Sequence, residues 1–430
     1  MHTMAGSAAV GSALPVLIAR LRHAWPLLLV LAPLLLLPVG RAAEAPVVAM
    51  AAISLVLLPR GRIDLGDRAT WLVLALFACY WLPALLSTID AVAPGKTWST
   101  VAGSLRLLPF ALFVGWALRA PAAWPRLLVA GGAIVALWAG DAWLQASTGW
   151  SLGGAAEQER ISGIFGAGNL KLGPTLAVLA PFVLLAARRL WGGRGLAAAI
   201  AVLALPILLA GSRAAWLAYA LVLVVLLWQQ RRSLRGFVAT LALLALALAA
   251  LIGLAWQGSM RLDARIERSL LVLQGTEQAV DAAGAGRLRI WRTALAMIQA
   301  QPLTGVGVRG FRYAYPRHAA PGDGFVDPAN GTGAAHAHQI VLEVLSETGL
   351  VGLAGWLTGC WLALRAWRRA STAARERARA PGLALLAMCF PLNTHLAFYS
   401  AWWGLLFWWL LALYCAALAE PRAAAANASR

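Results

Sequence analysis

Residues 401–419 read AWWGLLFWWLLALYCAALA, nineteen positions without a charged side chain. At about 1.5 Å per residue, such a run crosses most of a hydrocarbon core roughly 30 Å thick. It is apolar on every face, so it is not an amphipathic helix covering a soluble core. Working outward from it, similar runs recur through the chain at 24–40, 43–59, 69–88, 97–118, 125–146, 172–187, 195–211, 214–230, 236–256, 346–364 and 381–399. The 430 residues are 61% hydrophobic and only 12% charged, which excludes the soluble multidomain, disordered and disulfide-rich classes. The expected fold is all-α: a polytopic membrane protein with about twelve transmembrane helices. The first run lacks a small-residue cleavage site followed by a soluble domain, and it is read as a retained span. The four cysteines, Cys79, Cys360, Cys389 and Cys415, lie inside apolar runs without metal-ligand spacing and are read as packing residues.

Charge sets the orientation. There are 36 basic and 17 acidic residues, a formal net charge of +19, and all the basic residues but Lys96 and Lys171 are arginines. With the N-terminus placed in the cytoplasm, the inner segments hold 21 bases against four acids, and the outer segments hold 14 bases against 12 acids. The excess therefore lies almost wholly on one side, as the positive-inside rule requires. The basicity is a topology signal that needs no nucleic-acid partner. An even number of spans places both termini in the cytoplasm. Arg106 and Asp141 fall within spans, where an ion pair between them is one expectation.

One connection is long. Between spans nine and ten some 80 residues lie on the outer face. The chain is accordingly read as three parts: helices one to nine over 1–256, a periplasmic loop domain over 257–337, and helices ten to twelve over 338–430. Within the loop, Leu270, Leu271 and Leu273 follow Arg261, Arg265 and Arg268, and 287–299 carries apolar residues at helical spacing. Both segments predict amphipathic helices at the membrane surface. The stretch 302–330, rich in Gly, Pro and aromatic residues, is expected to be an irregular loop.

The outer face also collects arginines that topology alone disfavours there: Arg160, Arg213, Arg261, Arg265, Arg268, Arg287, Arg289 and Arg292. A guanidinium is planar, permanently charged and suited to bidentate contact with phosphate oxygens. Several of them at a membrane surface fit a site for a diphosphate. The competing reading pairs each with Asp263, Glu267, Asp281 or lipid head groups. Among the histidines, His336 and His338 stand where the loop meets span ten, followed by Glu343 and Glu347, and His395 lies near the outer end of span eleven. His-x-His alone is a weak metal signal. No D-x-D cluster is present, which argues against a metal-held diphosphate and leaves that work to arginine. No metal and no cofactor are expected. An imidazole in such a pocket is suited to general-base chemistry.

Four motifs then carry a resemblance. Arg160-Ile-Ser-Gly-Ile-Phe-Gly-Ala-Gly-Asn169; Ser212-Arg-Ala-Ala-Trp216; Gly286-Arg-Leu-Arg-Ile-Trp291 with Pro302-Leu-Thr-Gly-Val-Gly307; and His338-Gln-Ile-Val-Leu-Glu-Val-Leu-Ser-Glu-Thr-Gly-Leu-Val-Gly352 resemble, in order, motifs of the O-antigen ligase/polymerase superfamily. One departure is Gln339, where the family often has Asn. The resemblance implies a metal-independent glycosyltransferase of the bacterial inner membrane, with its active site on the periplasmic side. Its donor would be an undecaprenyl-diphosphate-linked glycan, and in the ligase branch its acceptor a sugar hydroxyl of lipid A-core. It implies a catalytic role for His338 and substrate binding by Arg160, Arg213, Arg265, Arg287 and Arg289. Other partners would be membrane lipids only. Rival readings are an O-antigen polymerase or protein O-oligosaccharyltransferase of the same superfamily, and a transporter of anionic lipid-linked substrates. A transporter would need charges along several spans.

Overall fold

The computed structural model describes residues 24–419, apart from 158–159, 232, 258–272, 274, 277–278, 280, 282–283 and 394–396. The chain is mostly helical. In order come α1 (Ala24–Leu36), α2 (Glu44–Leu57), α3 (Arg68–Leu86), α4 (Pro94–Ser104), α5 (Leu107–Ala117) and α6 (Ala123–Thr148). A two-stranded hairpin, β1 (Trp150–Ser151) and β2 (Gly154–Ala155), precedes α7 (Leu172–Leu209), α8 (Arg213–Gln230) and α9 (Leu234–Gln257). Then follow α10 (Arg287–Ala300), α11 (Phe311–His318), α12 (Ile340–Arg369), α13 (Thr372–Met388) and α14 (Ala401–Leu418).

Among the described residues, seven helical stretches are long and apolar enough to cross a membrane: α3, α4 with α5, α6, α7, α8, α12 and α14. This is a polytopic helical membrane protein. Shorter apolar helices, α1 and α2 among them, coincide with further expected spans. The 38-residue α7 covers two expected runs, and its helical path breaks between them at Gly192 (φ 66°, ψ −148°).

The run that opened the sequence reading forms the centre. Every residue of α14 from Trp403 to Leu418 is buried, as is α7 from Leu172 to Ala187. Buried indole N–H groups favour a protein acceptor, which Trp409 and Trp402 find and Trp408 lacks among the described residues. Trp409 donates to the Val30 carbonyl at 2.7 Å and Trp402 to that of Leu37 at 3.1 Å, tying the last helix to the first. Glycine permits the closest crossing of α12 and α3: a Cβ on Gly355 would lie 2.6 Å from the Cys79 carbonyl oxygen.

Two sequence expectations change. Arg106 sits at the junction of α4 and α5 and pairs with Glu44, 3.2 Å away, because α5 packs on α2, whose first residue is Glu44. Asp141 instead accepts the Leu152 backbone N–H at 2.8 Å, in the turn of the hairpin. The stretch 302–330 is not wholly irregular either. It contains α11, which buries Phe311, Ala314 and Tyr315 with Ile290, Ala294 and Met297 of α10 in a small separate core. The amphipathic helix expected at 287–299 is α10. The expected helix around Arg261–Leu273 lies outside the described residues, Leu273 excepted.

Candidate active site

The site is organised by a broken helix. α12 loses its helical path at Gly349 (φ 63°, ψ −161°). That break leaves carbonyls and N–H groups of neighbouring turns without helical partners, which an apolar setting does not tolerate. The segment 302–307 supplies the missing partners. Val306 and Gly307 donate to the carbonyls of Ser346 (2.8 Å) and Glu347 (3.1 Å), while Leu350 and Val351 donate to those of Pro302 (2.8 Å) and Leu303 (3.3 Å). Only glycine fits on either side. A Cβ on Gly349 would collide with the Leu303 carbonyl, and one on Gly305 would lie 2.5 Å from the Glu347 backbone. Pro302–Gly307 and Glu347–Gly352, far apart in sequence, thus form one structural unit.

This unit fixes the start of α12. Gln339 is its N-cap, its side-chain oxygen accepting the Leu342 N–H at 2.6 Å. An asparagine could cap in the same way, so the departure from the family pattern keeps its local function. His338, just before the cap, has φ +53°, a left-handed conformation that costs a non-glycine residue about 1–2 kcal/mol. Such strain is found at functional sites held by their surroundings. The rings of His336 and His338 are 3.9 Å apart, and the His338 N–H donates to His336 Nδ1 at 3.3 Å. His336 Nδ1 is in turn 3.9 Å from Glu343 Oε2. Glu343 and Glu347 are both fully buried, and Glu347 accepts the Arg309 backbone N–H at 2.8 Å.

The arginines arrive from two helix starts. Arg213 is the first residue of α8, whose N-cap Ser212 accepts the Ala215 N–H at 3.3 Å. Arg287 is the first residue of α10, after Gly286 (φ 76°). Burial, and then the Arg213 charge, push the Arg287 guanidinium below the usual arginine range, so the two cations stand within electrostatic reach of each other. Each also sits at the positive end of a helix dipole. Two guanidiniums within electrostatic reach of each other, each at a helix N-terminus, make an arrangement suited to a polyanion. α10 links these arginines to the histidines: the indole of Trp291, one turn beyond Arg287, donates to the Ala337 carbonyl at 3.1 Å, next to His338.

The remaining expected residues are placed differently. Arg289 turns to Asp281 (2.8 Å) and lies 5.3 Å from the Phe325 ring, and Asp281 also accepts the Leu288 N–H, holding the start of α10. Arg160 pairs with Glu157 at 2.8 Å, and that hydrogen bond, with one from the Gly168 N–H, holds the Glu157 carboxyl below its usual range. Arg265 and His395 lie outside the described residues. His318 ends α11, where burial and Arg317 lower its proton affinity.

Sequence reasoning gave no role to Arg309, whose backbone binds Glu347, or to Lys171. The Lys171 ammonium lies 4.7 Å from the Trp402 ring, and burial lowers its pKa. Its rarity, as one of two lysines, was the available signal.

Residues 196–357 match the family model described as O-antigen ligase. The matched segment is less than half of the chain and contains Arg213, Arg287, His338 and the Gly349 unit, whereas Arg160 lies before it. The match agrees with the superfamily that the motifs resemble and indicates glycosyl transfer of the O-antigen ligase/polymerase type. No curated protein matches the chain significantly.

Proposed function

We propose, for a chain that carries an O-antigen ligase family segment, that it transfers O-antigen glycan from undecaprenyl diphosphate to a sugar hydroxyl of lipid A-core at the periplasmic face of the inner membrane. The observation that carries this reading is the approach of Arg213 and Arg287 at two helix N-termini, beside the strand of chain that ends in His338. The donor diphosphate binds between the two guanidiniums. The acceptor oxygen attacks the anomeric carbon while His338 takes the hydroxyl proton, and the bond from that carbon to the diphosphate oxygen breaks. Negative charge grows on the departing diphosphate, where fixed cations lower the barrier most. Arg160, Arg265 and Arg289 complete substrate binding in this proposal. The twelve-span topology, both termini in the cytoplasm, and the three-part division at 256 and 337 belong to the same reading.

The decisive experiment offers purified protein in detergent a lipid-linked glycan, with either core lipid or a second lipid-linked glycan as acceptor. Transfer to core lipid is expected. Elongation of the lipid-linked glycan alone would assign a polymerase instead, and absence of both would reject the glycosyltransferase reading.

A further inference from the structure

The opposite end of the bundle holds a second site. α12 runs from beside His338, through its break at Gly349, to Arg369 at the far end. The chain then turns into α13, and there a cavity of about 570 Å³ opens between α6, α7 and α13. Its wall is divided by chemistry. One part is apolar, formed by Trp124, Leu127 and Leu128 of α6 with Phe182 and Leu185 of α7. The other is cationic, formed by Arg188 and Arg189 of α7 with Arg377 and Arg379 of α13.

One acid, Glu376, lines the cavity, and it is already paired with Arg379 at 3.1 Å. The Arg379 Nε donates to Gln229 at 2.8 Å, while its Nη2 is buried without a hydrogen-bond partner among the described residues. Arg377 is held by the carbonyls of Ala417 (3.2 Å) and Ala419 (2.8 Å) at the end of α14. Arg188 and Arg189 are exposed and form no ion pair among the described residues. Positive-inside sorting explains why arginines are common at this end. It does not explain why four of them, from two helices, meet over one apolar recess with a single carboxylate.

A ligand that satisfies both halves has phosphate oxygens for the guanidiniums and hydrocarbon for the apolar wall. We propose that this cavity binds an anionic phospholipid of the surrounding bilayer, head group on the four arginines and acyl chain along Trp124, Leu128 and Phe182. Inorganic phosphate shares the head-group chemistry but leaves the apolar wall bare, so lipid is the favoured occupant.

The test uses the full chain, purified and delipidated in detergent, and follows its thermal midpoint with added phosphatidylglycerol, phosphatidylcholine or inorganic phosphate. Phosphatidylglycerol should raise the midpoint by a few degrees beyond phosphatidylcholine, since a ligand that binds only the folded state stabilises it by mass action. The double variant Arg188→Gln/Arg189→Gln alters only exposed side chains. It should keep the midpoint seen in phosphatidylcholine and lose the phosphatidylglycerol increment. Arg365→Gln removes an exposed arginine near the same end, over Trp361, and should keep the increment. Equal shifts from the two lipids, or an undiminished increment in the double variant, would overturn the proposal. So would an equal loss in Arg365→Gln, which would mark a diffuse charge effect. A shift from phosphate as large as that from phosphatidylglycerol would replace the lipid with a simple anion.

Discussion

Replacing Arg287 by lysine separates charge from shape at the proposed diphosphate site. The variant keeps a long, straight side chain at the first position of α10, so the helix should form as before. What it loses is the fork: two parallel N–H donors become one rotating ammonium. One charge-assisted hydrogen bond contributes about 1.5–3 kcal/mol. At about 1.4 kcal/mol per factor of ten, kcat/KM should fall roughly 10- to 150-fold. The site adds a second effect. Burial and the Arg213 charge both disfavour a proton at this position. Arginine stays charged under that pressure, but lysine releases its proton far more readily. The sign is fixed: the cation is the binding form, it persists at low pH, and it is lost as pH rises. The lysine variant should therefore decline further on the alkaline side, where the unaltered protein does not. Single-turnover transfer from lipid-linked glycan to core lipid, measured across pH, reads both effects. A lysine variant within threefold of the unaltered rate at every pH would refute the convergent-arginine site.

Other outcomes follow from the same geometry. His338→Asn suits the left-handed backbone and removes the imidazole, so the thermal midpoint should hold or rise while transfer falls about 10²–10⁴-fold; near-normal transfer would remove the base from the mechanism. Gly349→Ala places a methyl against the Leu303 carbonyl at φ +63°, and a loss of about 3 kcal/mol should appear as a lower midpoint and faster proteolysis of 302–338; an unchanged midpoint would contradict the splice between loop and helix. In a background with the four native cysteines replaced, a cysteine at Gly275 should react with an impermeant reagent from the periplasm and one at Gly193 should not; the reverse pattern would invert the topology. Transfer should survive EDTA, because arginines meet the diphosphate charge, and loss restored by magnesium would reject that account.

The helical membrane class and most of the apolar helices were legible because hydrophobic length is a local property, whereas the run expected at 381–399 falls on a helix that ends at Met388. The runs at 172–187 and 195–211 even flank the glycine that interrupts α7. The amphipathic face of α10 was legible for the same reason, with Ile290, Ala294 and Met297 four and three residues apart. What failed to show was every relation between distant segments. Arg106 had an acid within reach of its own stretch, yet the packing of α5 on α2 gave it Glu44. The glycines of 302–307 read as loop punctuation, whereas their role is to bring backbone against a break in α12. The sequence collected eight arginines as candidate phosphate ligands without deciding the partner of each. Asp281 and Glu157 claim two of them, and only the fold brings Arg213 toward Arg287.

The splice at Gly349 sets a rule for recombining this protein with its relatives. Four backbone hydrogen bonds join 302–307 to 346–351 in a fixed register. An exchange of the segment between α9 and α12 that stops before α12 would match one partner's carbonyls to another's amides at a buried break in the helix. A crossover placed inside α11, or anywhere between 308 and 345, should yield misfolded hybrids. Hybrids should fold only when 302–351 moves as a single block.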